Sequence, residues 1–260
     1  MLAYWNTAGG IDAARVLGGL LDAGADTALV AAILAKLTLP HAALFAARTQ
    51  DGASIWSMAG MAATVAVSPV GRERRLIEVI HAVEDGALPL AVRTWGGGVL
   101  RRLAEAEALV RVVPVDAVPL DDPRGVAELI AVAAALAALR VVRVFAAPLP
   151  PRPIPAAPSH TDLVIAALLE EAGWPETDDA RAVIVTTGGA ALLAALAEPG
   201  LPTLRLHAVG YGLAAEATEG IEAPPLAVWV GEPYGTSASH ADDDTMPAHA
   251  HSHPHAPGDA

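Results

Sequence analysis

Residues 3–23, which read AYWNTAGGIDAARVLGGLLDA, join an apolar run to a helical pattern through a pair of glycines. The run at residues 3–7 is typical of a buried strand, and Gly9 and Gly10 interrupt it. Residues 11–23 then repeat apolar side chains three and four positions apart, which predicts a helix. The stretch therefore has the order of strand, turn and helix that builds α/β folds.

The same order returns in the last third of the chain. A strand is predicted at residues 182–186, Gly188 and Gly189 follow it, and a helix is predicted at residues 190–197. Further strands are predicted at residues 53–58, 62–68, 141–146, 204–209 and 226–230. Further helices are predicted at residues 27–37, 72–84, 99–112, 126–139 and 161–172. This mixture predicts an α/β (mixed α+β) fold.

The periodic pattern predicts one main domain followed by a tail. Residues 1–233 form the predicted domain, since apolar segments continue to that point and the length suffices for a large buried core. Within it, six prolines in residues 148–158 predict an extended connector. Residues 234–260 are polar, contain prolines and have no periodicity, which predicts a disordered tail.

The composition excludes several classes of protein. Hydrophobic residues make up 53% of the chain, which rules out general disorder, and the formal net charge of −13 argues against a nucleic-acid partner. The chain has no cysteine, so thiolate metal sites and cysteine nucleophiles are excluded, in agreement with a cytoplasmic location. The longest uncharged stretch, residues 52–71, contains glycine, serine and proline, and is predicted to form strands rather than to cross a membrane.

The two glycine turns are candidate anion-binding sites. A helix that begins directly after a turn offers free backbone N–H groups and the positive end of its dipole, and glycine lets a ligand approach the backbone. The predicted binding residues are Gly9, Gly10, Thr186, Thr187, Gly188 and Gly189. Neither turn matches a known phosphate-binding motif, so the alternative interpretation is that both are tight turns without a ligand.

Histidine is concentrated near the end of the chain. Neutral imidazoles suit nickel, zinc or copper, and an acidic run at residues 242–244 precedes the histidines. The predicted metal ligands are His249, His251, His253 and His255. The alternative is a low-complexity tail without function. The remaining scattered histidines, predicted to be ordinary surface or core residues, are His41, His81, His160 and His207.

Several segments occur in an order that is found in one protein family. They are AYW at residues 3–5, LGGLLDAGAD at 17–26, RRLAEAEA at 101–108, TTGGAALL at 186–193, GYG at 210–212 and VGE at 230–232. Together these segments resemble the LarC nickel-insertion family. The resemblance runs from residue 3 to residue 232 and covers the family's first domain.

The resemblance implies a function in metal chemistry. It implies insertion of a nickel ion into a pyridinium bisthiocarboxylate mononucleotide during biosynthesis of the nickel-pincer cofactor, which is the activity of a metal chelatase (cyclometallase) of the lyase class. On this basis the glycine turns would hold the phosphate or nucleotide of the substrate. The metal would be handled by Asp12, Glu105, Glu107 or the tail histidines.

The sequence also departs from the family pattern. Where the family reads GISGDM, residues 10–15 read GIDAAR, so the acidic residue is displaced. A histidine-rich family segment is replaced at residues 119–127, and the tail is expected to stand in place of a second domain to which cytidine triphosphate binding is attributed. Three interpretations stay open: a nickel insertion protein with impaired catalysis, a non-catalytic nickel-binding or delivery module that partners a complete homologue, and a nucleotide-binding protein without a metal role.

Overall fold

The computed structural model describes residues 1–37, 39, 41–50, 59–68, 74–152, 155–179, 183–214 and 224–234. The strand predicted at residues 53–58 and the tail at residues 235–260 lie outside these ranges. Strands and helices mix along the described ranges, which confirms the predicted α/β (mixed α+β) fold class.

Most of the described strands belong to one mixed seven-stranded sheet. In chain order the strands are β1 (Leu2–Asn6), β2 (Gly10–Ile11), β3 (Ala43–Gln50), β4 (Ala59–Ala66), β5 (Arg143–Ala146), β6 (Ile184–Val185), β7 (Ala197–Pro199), β8 (Leu204–Leu213) and β9 (Leu226–Pro233). The order across the sheet is β3-β4-β8-β9-β1-β5-β7, and β2 and β6 form a separate parallel pair. Strand β1 is parallel to β5 and antiparallel to β9, so both kinds of pairing meet at its position.

The helices of the described ranges pack against the sheet and against one another. They are α1 (Ala13–Asp22), α2 (Thr27–Leu34), α3 (Leu76–Glu84), α4 (Leu90–Arg111), α5 (Pro123–Ala138), α6 (His160–Glu171) and α7 (Thr187–Leu196). Helix α5 contacts α1, α2, α4 and α7, and every residue from Val126 to Leu136 is buried. Of the helices in these ranges, none is both long and apolar enough to cross a membrane.

Helix α1 lies directly on the sheet, and glycines on both sides make this contact possible. A Cβ on Gly18 of α1 would lie 2.2 Å from the carbonyl oxygen of Met61 in β4. A Cβ on Gly212 of β8 would lie 1.7 Å from the carbonyl oxygen of Arg15. Backbone therefore meets backbone, and the sheet sets the position of α1 and of the turn that precedes it.

Several elements differ from the prediction. Helix α7 begins at Thr187, so Gly188 and Gly189, predicted as a turn before the helix, lie in its first turn. Helix α4 begins at Leu90 rather than at residue 99, because the glycines at residues 96–98 continue the helix instead of preceding it. A Cβ on Gly97 would lie 2.9 Å from Cγ of Glu84 at the end of α3, so glycine lets the two helices approach. Strand β3 is not predicted from the sequence, because its residues show no alternation of buried and exposed positions. Among the described strands, β3 lies at the sheet edge beside β4.

Candidate functional site

The two predicted glycine turns lie side by side. Strand β2 pairs in parallel with β6, so that Gly10 stands opposite Ile184. Helices α1 and α7 begin directly after these strands. Asp12 caps α1 by accepting a hydrogen bond from the backbone N–H of Arg15 at 2.8 Å. Thr186 caps α7 in the same way, since its hydroxyl accepts from the backbone N–H of the third residue after it at 3.1 Å.

A cleft of about 690 Å³ opens beside these two helix starts. Residues at the N-terminal ends of four helices line it: Asp12 at α1, Asp122 at α5, His160 at α6 and Thr186 at α7. Each N-terminal end carries the positive pole of its helix dipole. The fold therefore gathers the N-terminal ends of four helices around one space, although the helices are far apart in the sequence. Aspartates cap α1 and α5, whereas the neutral hydroxyl of Thr186 caps α7.

The first glycine turn supports the backbone and does not line the cleft. Gly10 has a φ of +83°, and a Cβ on it would lie 2.1 Å from the carbonyl oxygen of Ile184. A Cβ on Gly9 would lie 2.3 Å from Cγ of Pro224. Both glycines are thus used for close packing between protein segments.

At the second glycine pair, one residue packs against protein and its neighbours line the cleft. A Cβ on Gly189 would lie 2.3 Å from the carbonyl oxygen of Ile11, so this glycine also packs against protein. Thr186, Thr187 and Gly188 line the cleft. Of the residues predicted for anion binding, these three face the space that a ligand would occupy.

A charged cluster forms one wall of the cleft. Its members are Glu107 and Arg111 of α4, Asp121 and His160. Nε of Arg111 donates to Glu107 at 2.8 Å, and Nη2 of Arg111 donates to Asp121 at 2.7 Å. The hydrogen bond to Glu107 raises the pKa of Arg111 above its ordinary value, so its charge persists. Nε2 of His160 lies 2.7 Å from Oε2 of Glu107, which gives this histidine a specific place at the cleft.

Glu128 of α5 is a further cleft residue that sequence reasoning missed. Its side chain is buried, and its Oε1 accepts hydrogen bonds from the hydroxyl of Thr64 at 3.0 Å and from the backbone N–H of Val65 at 3.5 Å. Burial raises the pKa of the Glu128 carboxyl. The available signal was a lone carboxylate inside the apolar run of residues 126–136.

Arg15 is another residue that the sequence analysis did not single out. Its side chain is fully buried and forms an ion pair with Asp12, while its Nη1 donates to the carbonyl oxygen of Pro224 at 2.9 Å. Because Asp12 lines the cleft, the buried guanidinium holds a cleft carboxylate in a fixed position.

The predicted metal-handling residues fall in different places. Asp12 and Glu107 line the cleft, whereas Glu105 does not. Oε2 of Glu105 instead lies 3.6 Å from Nη1 of Arg102. Within the described ranges, no three histidine, cysteine, aspartate or glutamate side chains are grouped so that they could hold a metal ion. The predicted ligands of the tail, His249, His251, His253 and His255, lie outside the described residues.

Comparison with known proteins finds similarity to one family. The family described as "Nickel insertion protein" matches residues 3–246. A relative from Roseiflexus castenholzii, named as a candidate nickel insertion protein, is 35% identical over 246 residues that cover 88% of this chain and 59% of the relative. A second relative of that name, from Thermomicrobium roseum, is 30% identical over 243 residues that cover 90% of this chain and 58% of the relative.

The matched region is only part of each relative. The chain spans 59% and 58% of the length of these two relatives. No solved structure gives a significant match to the chain.

Proposed function

Because the chain belongs to the nickel insertion protein family, we propose that it takes part in biosynthesis of the nickel-pincer cofactor. In this proposal the chain supports insertion of a nickel ion into a pyridinium bisthiocarboxylate mononucleotide. The nickel ion and the mononucleotide are both substrates, and the cleft is the place where they meet.

The observation that carries the proposal is the mixed charge of the cleft. The N-terminal end of α7, which the neutral hydroxyl of Thr186 caps, lines it, and a helix N-terminus without a carboxylate favours an anion such as a phosphate group. Thr187 and Gly188 stand at this end. The carboxylates of Asp12 and Glu107 line the same cleft and suit a divalent cation. One cleft thus has features for both an anionic mononucleotide and a metal ion.

Detection of the product tests this proposal. The full chain is incubated with NiCl₂ and the pyridinium bisthiocarboxylate mononucleotide, with and without cytidine triphosphate. We expect the nickel-bound mononucleotide to form at a rate proportional to protein concentration, as measured by mass spectrometry. Absence of that product under both conditions would contradict catalytic insertion.

A second candidate function is a non-catalytic nickel-binding or delivery module, or a pseudo-enzyme that partners a complete homologue. The alternate histidines at residues 249–255, which follow an acidic run at residues 242–244, favour it. A series of imidazoles can bind nickel without any pocket for a mononucleotide. Under this proposal the tail is the functional part for metal binding.

Calorimetric titration with NiCl₂ distinguishes the two candidates. The full chain is compared with a full-length variant in which His249, His251, His253 and His255 are replaced by alanine, and His81→Ala on α3 serves as the control. Loss of nickel binding in the tail variant, together with no product from the unaltered chain, favours delivery. Nickel binding that persists in the tail variant, together with product formation, favours insertion in the cleft.

A further inference from the structure

Glu128 is a lone carboxylate in an apolar part of the molecule. It is the charged residue in the run of residues 126–136, which is buried throughout and forms the middle of α5. The side chain is 8% exposed, and Glu128 lines the cleft. Burial removes the water that hydrates a carboxylate, which is unfavourable unless hydrogen bonds or an opposite charge compensate for it.

The hydrogen bonds from strand β4 hold one of the two carboxylate oxygens of Glu128. Oε1 accepts hydrogen bonds from the hydroxyl of Thr64 and the backbone N–H of Val65, both on β4. Among the described residues, the hydrogen bonds to this carboxyl are made to Oε1. One oxygen is thus held by the sheet while the side chain lines the cleft, where the carboxyl can meet a bound molecule.

The surroundings favour a proton on this carboxyl. Burial raises the pKa of Glu128 and the charge of Asp122 raises it further, whereas the bonds from Thr64 and Val65 and the charge of Arg124 lower it. The net direction is upward, which favours the protonated form of Glu128 relative to an exposed glutamate. The other charged groups that line the cleft are Asp12, Glu107, Arg111, Asp121 and His160.

We propose that Glu128 is a catalytic residue of nickel insertion and accepts the proton that the mononucleotide loses when nickel takes its place. The inference rests on the proposed function. A metal ion that enters a protonated ligand displaces the proton. The bond between hydrogen and the substrate atom breaks, its electron pair remains on that atom and forms the bond to Ni²⁺, and the proton moves to Oε2 of Glu128. Solvent removes the proton after the product leaves.

A direct test compares the full chain with its Glu128→Gln and Glu170→Gln variants. Glutamine keeps the size of Glu128 and its acceptor for Thr64 but cannot take a proton, and Glu170 is an exposed residue of α6 outside the cleft. We expect Glu128→Gln to lower the rate of nickel insertion by about 100-fold or more and to remove its rise with pH. Glu170→Gln should retain the rate of the unaltered chain.

A second variant keeps the carboxylate and changes its environment. Thr64→Val removes the hydroxyl that lowers the pKa of Glu128. The pH midpoint of nickel insertion should therefore move upward, whereas a merely structural role of Thr64 would lower the rate at every pH without moving the midpoint. An unchanged midpoint would overturn the assignment.

The pH dependence of stability tests the carboxyl without any activity. Since the pKa of Glu128 is raised in the folded chain, the folded state holds an extra proton between the ordinary glutamate pKa and the raised value. The free energy of unfolding of the unaltered chain should therefore fall relative to that of Glu128→Gln as pH rises through this window. A difference that does not change with pH would overturn the proposal.

The remaining outcomes separate this inference from the proposed function. If the unaltered chain forms no nickel-bound product, the proposed function fails and this inference fails with it. If the unaltered chain is active and Glu128→Gln is equally active, only the role of Glu128 is wrong. If Glu128→Gln loses affinity for NiCl₂ alone, in step with its rate, Glu128 is a metal ligand and the proton-acceptor role is rejected.

Discussion

Gly10 shows how a single residue holds two parts of the cleft together. Its φ of +83° is a backbone conformation that residues with a side chain rarely adopt. Gly10 pairs with Ile184, and this pairing brings β2 against β6. The helices that follow these strands then begin beside the cleft, where Asp12 and Thr186 cap them. At this position glycine serves contact between backbones rather than contact with a ligand.

Replacement of this glycine should therefore be costly. We expect Gly10→Ala to reduce the free energy of unfolding by about 2–4 kcal/mol, because a Cβ would lie 2.1 Å from the carbonyl oxygen of Ile184 in a strained backbone conformation. Denaturant unfolding measures this change. Gly24→Ala is the matched control: Gly24 has a φ of +106°, but no described atom lies within 4 Å of an added Cβ. It should cost only about 1–2 kcal/mol, and equal losses in both variants would contradict the packing role.

At the scale of elements, helix α4 runs through three consecutive glycines. Gly96 and Gly97 are buried, and at Gly97 the helix meets Glu84 at the end of α3. Gly98 has no described heavy atom within 4 Å of an added Cβ. Gly97 therefore has a packing reason, whereas a Cβ on Gly96 would make ordinary contacts of 3.5 Å with Val83 and 3.8 Å with Ala133. Gly98 carries the entropic cost of glycine without a close contact.

Alanine substitutions along α4 should accordingly act in opposite directions. We expect Gly98→Ala to raise the free energy of unfolding by about 0.5–1 kcal/mol, because alanine loses less backbone freedom on folding. Gly97→Ala should lower it, because the new methyl group meets the Glu84 side chain at 2.9 Å and disturbs its ion pair with Arg101. Denaturant unfolding of both variants checks this. Stabilisation by both would show that α3 can yield at this contact.

At the scale of the whole molecule, the charge favours cations. The formal net charge is −13, and the carboxylates that line the cleft outnumber its arginines, Arg111 and Arg124. Long-range attraction therefore acts on a dication such as Ni²⁺, whereas the dipole of α7 acts on an anion at short range.

The net charge predicts how salt affects nickel capture. We expect the association rate of Ni²⁺ with the full chain to fall several-fold when the ionic strength rises from about 10 mM to about 150 mM, because the Debye length shortens from roughly 30 Å to roughly 8 Å. Stopped-flow measurement with NiCl₂ checks this, and Ca²⁺ at equal concentration controls for competition by another dication. A rate that is independent of salt would contradict long-range steering.

Much of the fold and a smaller part of the cleft could be predicted from the sequence. Periodic apolar residues predicted the strands at residues 3–7 and 226–230, close to the observed Leu2–Asn6 and Leu226–Pro233. The helix after the first glycine pair was predicted to begin at residue 11 and begins at Ala13. The second was predicted to begin at residue 190 but begins at Thr187, because Gly188 and Gly189 take part in its first turn. Edge strand β3 was not predicted, because a strand exposed on both faces lacks the alternation that marks a half-buried strand.

What the sequence determined by itself was local: the mixed α/β class, the two units of strand, turn and helix, and the negative charge. Only the tertiary structure brought β2 against β6. It also brought His160 within hydrogen-bond distance of Glu107, 53 residues away in the chain, and Thr64 within hydrogen-bond distance of Glu128, 64 residues away. Periodicity reports which side of an element is buried, because it depends on neighbours along the chain. The identity of the partner depends on how elements pack, and that packing decided which carboxylate is desolvated at the cleft.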